Sequence, residues 1–128
     1  MESITKSGFS LTALDHADKP RNRGIPPRFD AHARITGPCG DTMEIWLTIG
    51  NGRVEKAWFD TDGCRSSLAC GSMATCLAEG KSIDACAAIT QRTILNFLEG
   101  VPEQGEHCAL LAANTLRAAC GDYHRRQP

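Results

Sequence analysis

The chain has 128 residues, a formal net charge of −1 and seven cysteines. That length suits one domain with a buried core, and the near-neutral, dispersed charge gives no basic footprint for nucleic acid. Residues 1–10 are polar where a secretory leader would be apolar, and no segment reaches the ~18 apolar residues of a membrane span. The chain therefore reads as soluble and cytoplasmic, with neither nucleic acid nor membrane as a partner.

In chain order, Leu11 to Ala17 predict a short helix, ended by Asp18-Lys19-Pro20. Pro20 to Pro27, with three prolines and Gly24, read as an ordered loop or a flexible arm. Arg28 to Thr36 are a weak strand candidate. Met43, Ile45, Leu47 and Ile49 alternate with polar or outward residues, the period of a half-buried strand. Asn51-Gly52 then supplies the pair that a tight type I′ hairpin requires, so strands at 42–49 and 53–61 should pair antiparallel. Trp46 and Trp58 fall on the outer face or across from each other in that alternation.

After Asp62-Gly63 the period becomes helical. Leu68, Ala69, Met73, Cys76 and Leu77 form a stripe that starts at or just after Cys64 and ends near Gly80. Ser82 and Thr90 each cap a further short helix, the second stopping near Gly100. The last helix, from about His107 to Tyr123, buries Ala109, Ala112, Ala113, Leu116, Ala119 and Cys120 on one face. Strands first and helices after argue an α+β fold: a small antiparallel three-stranded sheet packed against a layer of helices. The expected organisation is an N-terminal arm with a short helix at 1–27 and a single domain at 28–128.

An odd number of cysteines cannot pair internally, so metal, sulfur or redox chemistry is the better expectation than a disulfide framework. Cys39, Cys64 and Cys108 sit where loops meet regular elements, reachable by solvent. Asp41 lies two residues from Cys39 and His107 adjoins Cys108. Cys64 and Cys108 open predicted helices, whose positive ends favour thiolate. Soft thiolates select zinc, copper(I) or iron-sulfur units, with an Asp or His completing four-coordination. There is no Cys-x-x-Cys pair. Cys76, Cys86 and Cys120 fit buried helix faces, Cys70 reads as packing, and His16, His32 and His124 read as surface or loop residues.

Gly37-Pro38-Cys39-Gly40-Asp41-Thr42-Met43, Asp62-Gly63-Cys64 entering a helix through Ser66-Ser67, Gly80-Lys81-Ser82, and His107-Cys108-Ala109 opening the last helix together resemble the IscU/NifU-like scaffold family of iron-sulfur cluster assembly. The stretch from His16 to Gly24, with Pro20-Arg21-Asn22, matches the family's N-terminal signature. The resemblance covers about residues 11 to 123 and implies an IscU/SufE-like fold. It implies a scaffold rather than an enzyme, which receives persulfide sulfur from a cysteine desulfurase, builds a labile 2Fe-2S cluster with iron, and passes it to apo-proteins.

On that resemblance, Cys39, Cys64 and Cys108 are the cluster ligands and His107 a fourth. Asp41 is the acidic residue tied to cluster lability, and zinc is an alternative occupant of the same five residues. Cys108 is the implied persulfide acceptor. Where many relatives carry a Leu-Pro-Pro-Val-Lys stretch, this chain has Val101-Pro102-Glu103-Gln104-Gly105, which argues against a dedicated DnaK-type chaperone as partner. The sequence leaves open whether a homo-oligomer forms around the cluster. Two alternatives stay on the table: a zinc-bearing sulfur acceptor or sulfurtransferase, and a structural zinc protein.

Overall fold

The computed structural model describes residues 5–127; residues 1–4 of the expected arm lie outside that range. Five helices and three strands follow one another in the expected order. They are α1 (Leu11–Asp18), β1 (Ala31–Thr36), β2 (Thr42–Gly50), β3 (Arg53–Thr61), α2 (Arg65–Ala78), α3 (Ile83–Ala87), α4 (Gln91–Leu98) and α5 (Glu106–Arg126). A 3-10 turn, Glu103–Gly105, leads into α5.

The sheet is antiparallel with strand order β1-β2-β3. Its tightest turn is the expected one, with Asn51 at φ 54° and Gly52 at φ 74°. Met43, Ile45 and Leu47 on β2 are fully buried, and so are Ala57 and Phe59 on β3. The pairing register slips once. A register shift at Thr48/Ile49 pairs Lys56 with Thr48 but Val54 with Ile49, so Glu55 is the extra residue. Val54 is thereby buried although it stands three residues from Ala57.

Helices α2 and α5 cover the inner face of the sheet, α1 packs on α2, and α3 and α4 close against α5. Gly71 lets α2 approach β3, since a Cβ there would stand 2.3 Å from the Phe59 ring. The helices begin where local chemistry says they should. Ser10, Ser82 and Thr90 each accept a bond from the backbone N–H three residues on, which satisfies an orphan donor of the first turn.

The proline-rich stretch is an ordered strap. Phe59 donates its N–H to Asn22 O and accepts from Gly24 N at its own carbonyl, each at 2.9 Å. Val54 is held in the same way by Gly80 and Lys81. The outer edge of β3 is therefore covered at two places, which blunts its tendency to pair with another chain.

One aromatic and two imidazole side chains sit differently from their simplest reading. Trp46 does lie across from Trp58 in register, but it is only 5% exposed. His32 stacks on it with ring centroids 5.2 Å apart. His32 itself belongs to β1, not a loop, and its Nε2 lies 2.8 Å from Glu44. His16 belongs to α1, with Nδ1 2.7 Å from the Ser72 hydroxyl. Both are half-buried residues of regular elements, because neighbouring elements close over positions that the local pattern leaves open.

Candidate metal centre

The β1–β2 connection is a tight loop whose own backbone holds it closed. Gly37 N donates to Asp41 O at 2.8 Å and Gly40 N to Gly37 O at 3.0 Å. This leaves Cys39 exposed at the tip and Asp41 half-buried at the base. The base is tied to the end of β3. Thr42 N donates to Asp62 Oδ1 at 2.8 Å, and the Thr61 hydroxyl donates to Thr42 O at 2.6 Å. Two residues after Asp62 the chain reaches Cys64, the N-cap of α2. Sequence-distant Asp41 and Cys64 are thus brought together by short polar ties at one end of the sheet.

The first turn of α5 supplies the rest. His107 is exposed and Cys108 is buried, its Sγ 3.7 Å from His107 Nε2. Two trios result, Cys39–Asp41–His107 and Asp41–Cys64–Cys108, with the ligand atoms of each within 4.8 Å of one another. Two thiolates on one tetrahedral zinc stand about 3.8 Å apart given normal Zn–S bonds, so the spacing of Cys64 and Cys108, within 4.8 Å, is near what one ion requires. Asp41 belongs to both trios and is the hinge of the arrangement. The five site residues inferred from the sequence lie together.

The two helix-start thiols differ. Burial works to raise Cys64, but the backbone N–H groups of Ser67 and Ser66, with the Ser67 hydroxyl and the Cys108 thiol, more than offset it. Cys64 is held below the ordinary thiol value, as its place at a helix N-terminus predicts. Cys108 goes the other way. Burial pushes it up to about 11, the Ser67 hydroxyl opposes this, and Cys64 and Asp41 add to the rise. The expectation of a solvent-reachable, dipole-activated thiolate at Cys108 is therefore corrected. Its side chain points inward from the third residue of α5, and desolvation outweighs the helix end.

Ser67 is not a metal-ligating residue type, yet it lies among the candidate ligands. It is fully buried in the first turn of α2, and its Oγ lies 3.2 Å from Asp41 Oδ2 and 3.3 Å from Cys108 Sγ. The only sequence signal is the Ser66-Ser67 pair, in the first turn of the helix that Cys64 caps. Gly63 makes room for it, since a Cβ there would stand 2.3 Å from Ser67 Oγ and 2.9 Å from Asp41 Oδ2.

The other thiols stay out of the centre. Cys70, Cys86 and Cys120 are buried and Cys76 is half-buried. Burial drives the Cys70 thiol far up, which suits a packing residue. Beside the centre, Ile35 to Cys39 face His107, Leu110, Leu111 and Asn114 across a mostly apolar groove of about 230 Å³.

The α+β domain gathers three thiols, a carboxylate and an imidazole at one end of its sheet, a donor set able to hold a metal ion. The chain belongs to the family of the NifU-like N terminal domain, whose model matches residues 9–128. It is 39% identical over 119 residues to an iron-sulfur cluster assembly scaffold protein IscU of Archaeoglobus fulgidus, covering 92% of this chain and 78% of that one. It is 34% identical over 124 residues to the IscU scaffold of Escherichia coli, covering 93% and 96%. The fold matches the N-terminal NifU-like protein of Brucella abortus with a TM-score of 0.78 at 16% identity, over 98% of this chain and 100% of that one. It also matches a SufU-type scaffold structure from Fervidobacterium islandicum with a TM-score of 0.72 at 18% identity, over 88% and 96%.

Proposed function

We propose that this protein is a scaffold on which an iron-sulfur cluster is assembled and from which it is handed on. The observation that carries the reading is the pair of ligand trios sharing Asp41, exposed on the Cys39–His107 side and buried on the Cys108 side. A permanent structural site closes its shell with four fixed ligands. Here three of the five candidate residues are exposed, Cys39, Cys64 and His107, and the carboxylate is shared, an arrangement suited to cargo that comes and goes.

In this reading Cys39, Cys64, Cys108 and His107 hold a 2Fe-2S cluster, Asp41 governs its release, and zinc occupies the same residues when iron and sulfur are lacking. Sulfur arrives as a persulfide on a cysteine desulfurase. An acceptor thiolate attacks the outer sulfur, the donor's cysteine leaves as thiolate, and iron(II) with an external electron donor reduces the transferred sulfur to sulfide. Cys108 is the acceptor on the family resemblance. Its burial means that the donor must open the loop at Cys39 or α5 to reach it, whereas Cys64 is exposed beforehand.

The acceptors of the cluster are apo-proteins, and the role is that of a carrier rather than a catalyst. The scaffold unit is 28–128, with the arm held on it by α1. The Val101-to-Gly105 stretch runs into a 3-10 turn, is without lysine, and fits no dedicated DnaK-type chaperone. No helix among the described residues is long and apolar enough to cross a membrane, and we place the protein in the cytoplasm.

The test is anaerobic reconstitution with iron(II), cysteine and a cysteine desulfurase, followed by visible absorption and iron and sulfide content. We expect a chromophore in the wild type that is lost in each of Cys39→Ala, Cys64→Ala and Cys108→Ala. A colourless protein that retains stoichiometric zinc throughout would overturn the reading.

A further inference from the structure

Ser67 is where the parts of the metal centre meet. Its hydroxyl reaches the Asp41 carboxylate from the β1–β2 loop and the Cys108 sulfur from α5, and both its backbone N–H and its hydroxyl act on Cys64. It is fully buried, so no bulk water competes for these contacts. On the Gly63 side the slot that holds it is narrow, since a Cβ at Gly63 would stand 2.3 Å from Ser67 Oγ. Rotation of the side chain is the main freedom left to it.

A hydroxyl carries one proton, and it donates that proton to a single acceptor at a time. Asp41 and Cys108 lie at nearly equal distance, 3.2 and 3.3 Å, and therefore compete for it. A metal-bound thiolate sulfur is an acceptor only. With a metal ion on Cys108, the Ser67 O–H is drawn to the sulfur and the Asp41 carboxylate is set free to bind that ion or a second one. With the sulfur unloaded, the hydroxyl holds the carboxylate back against α2.

We infer that Ser67 is a positioning residue of the cargo site: its hydroxyl couples Cys108 to Asp41, so that loading the sulfur releases the carboxylate that the two ligand trios share. The inference rests on the scaffold reading and deepens it. It makes Asp41 a conditional ligand, present on the metal according to the state of Cys108. Hydrogen bonds to ligating sulfur also tune the electronic properties of iron-sulfur centres, so the same hydroxyl acts on the cargo directly.

The experiment uses cobalt(II) as the probe on the full-length metal-free protein, comparing wild type, Ser67→Ala and Ser67→Thr. Alanine removes only the hydroxyl and is a strong helix former, so thermal unfolding should stay close to wild type. For Ser67→Ala we expect cobalt(II) affinity to fall roughly 10- to 100-fold, the usual consequence of losing an outer hydrogen-bonding partner. The sulfur-to-cobalt charge-transfer band should move to longer wavelength, because a thiolate that loses its donor holds its lone pairs less tightly. Ser67→Thr, which keeps the hydroxyl, should restore both.

Wild-type affinity and an unmoved band in Ser67→Ala would overturn the role of Ser67 while leaving the metal centre intact. A threonine variant that is folded but as impaired as alanine would overturn it too, since space rather than the hydroxyl would then matter. If the wild type shows no sulfur-to-cobalt band at all, the scaffold reading falls and this inference with it.

Discussion

The two ends of α5 are built to opposite rules. At the C-terminal end Asp122 accepts from the His32 N–H at 2.9 Å and from Arg126 at 2.8 Å, with Arg125 at 3.5 Å. Arg126 in turn covers the Phe29 ring. The Asp122 carboxylate is thus matched by three donors, and the result ties the helix to the start of β1. At the N-terminal end three thiols, a carboxylate and an imidazole converge, and Asp41 and Cys108 share a single hydroxyl. Saturated polar groups fix a helix in place, whereas under-supplied ones wait for a ligand. The same helix serves as anchor and as ligand platform because those demands are met 14 residues apart, at Cys108 and Asp122.

The comparison can be broken most forcefully from the middle of the helix. Leu116 is fully buried between the two ends, and Leu116→Ala should cost about 2–5 kcal/mol, read as a lower denaturant midpoint. Both ends should suffer, with weaker metal binding following the loss of fold. Next in size is His107→Ala. It should weaken cobalt(II) or zinc binding roughly 10-fold while the melting temperature stays put. A fall in stability without a change in affinity would place His107 with the anchor.

Asp122→Ala should do the reverse, costing about 1 kcal/mol with metal affinity unchanged. Its pH dependence has a definite sign. Burial works to raise the Asp122 carboxyl, but the His32 N–H and Arg126 outweigh it and hold it below the usual carboxylate range. A carboxyl depressed in the folded state contributes stability that is present above its unfolded value, about 3.9, and is lost as pH falls through the folded one. Asp122→Asn should therefore flatten the acid side of the stability profile below about pH 4. The smallest effect belongs to the exposed Arg23–Asp60 pair at 3.3 Å. Arg23→Ala should change stability by less than about 0.5 kcal/mol, unless the strap on β3 depends on it.

Most of the fold was legible because its signals are local. The Asn51-Gly52 turn, the Ser82 and Thr90 caps and the spacing of Ala109 to Cys120 act within a few residues of themselves. The gathering of the candidate site residues was legible for a related reason, since Cys39, Cys64 and Cys108 each stand at an element boundary. What the sequence concealed depends on how distant segments close. Cys108 lies in a first helical turn like Cys64's neighbours, yet only the approach of α2 and the Asp41 loop makes it a buried thiol. Ser67 looks like one more serine near a helix start until those same segments meet around it. The covering of Trp46 by His32, and the Glu55 bulge that turns Val54 inward, likewise arise from strand register rather than from composition.

The most direct test of the account is cluster transfer. Equal amounts of loaded wild type and loaded Asp41→Ala would be mixed with an apo-ferredoxin, and the rate at which the acceptor gains its spectrum recorded. If the shared carboxylate is the path by which the cargo leaves, transfer from Asp41→Ala is slower while its cluster persists longer on the scaffold. An unchanged or faster transfer would contradict the claim that this centre is built around release through Asp41.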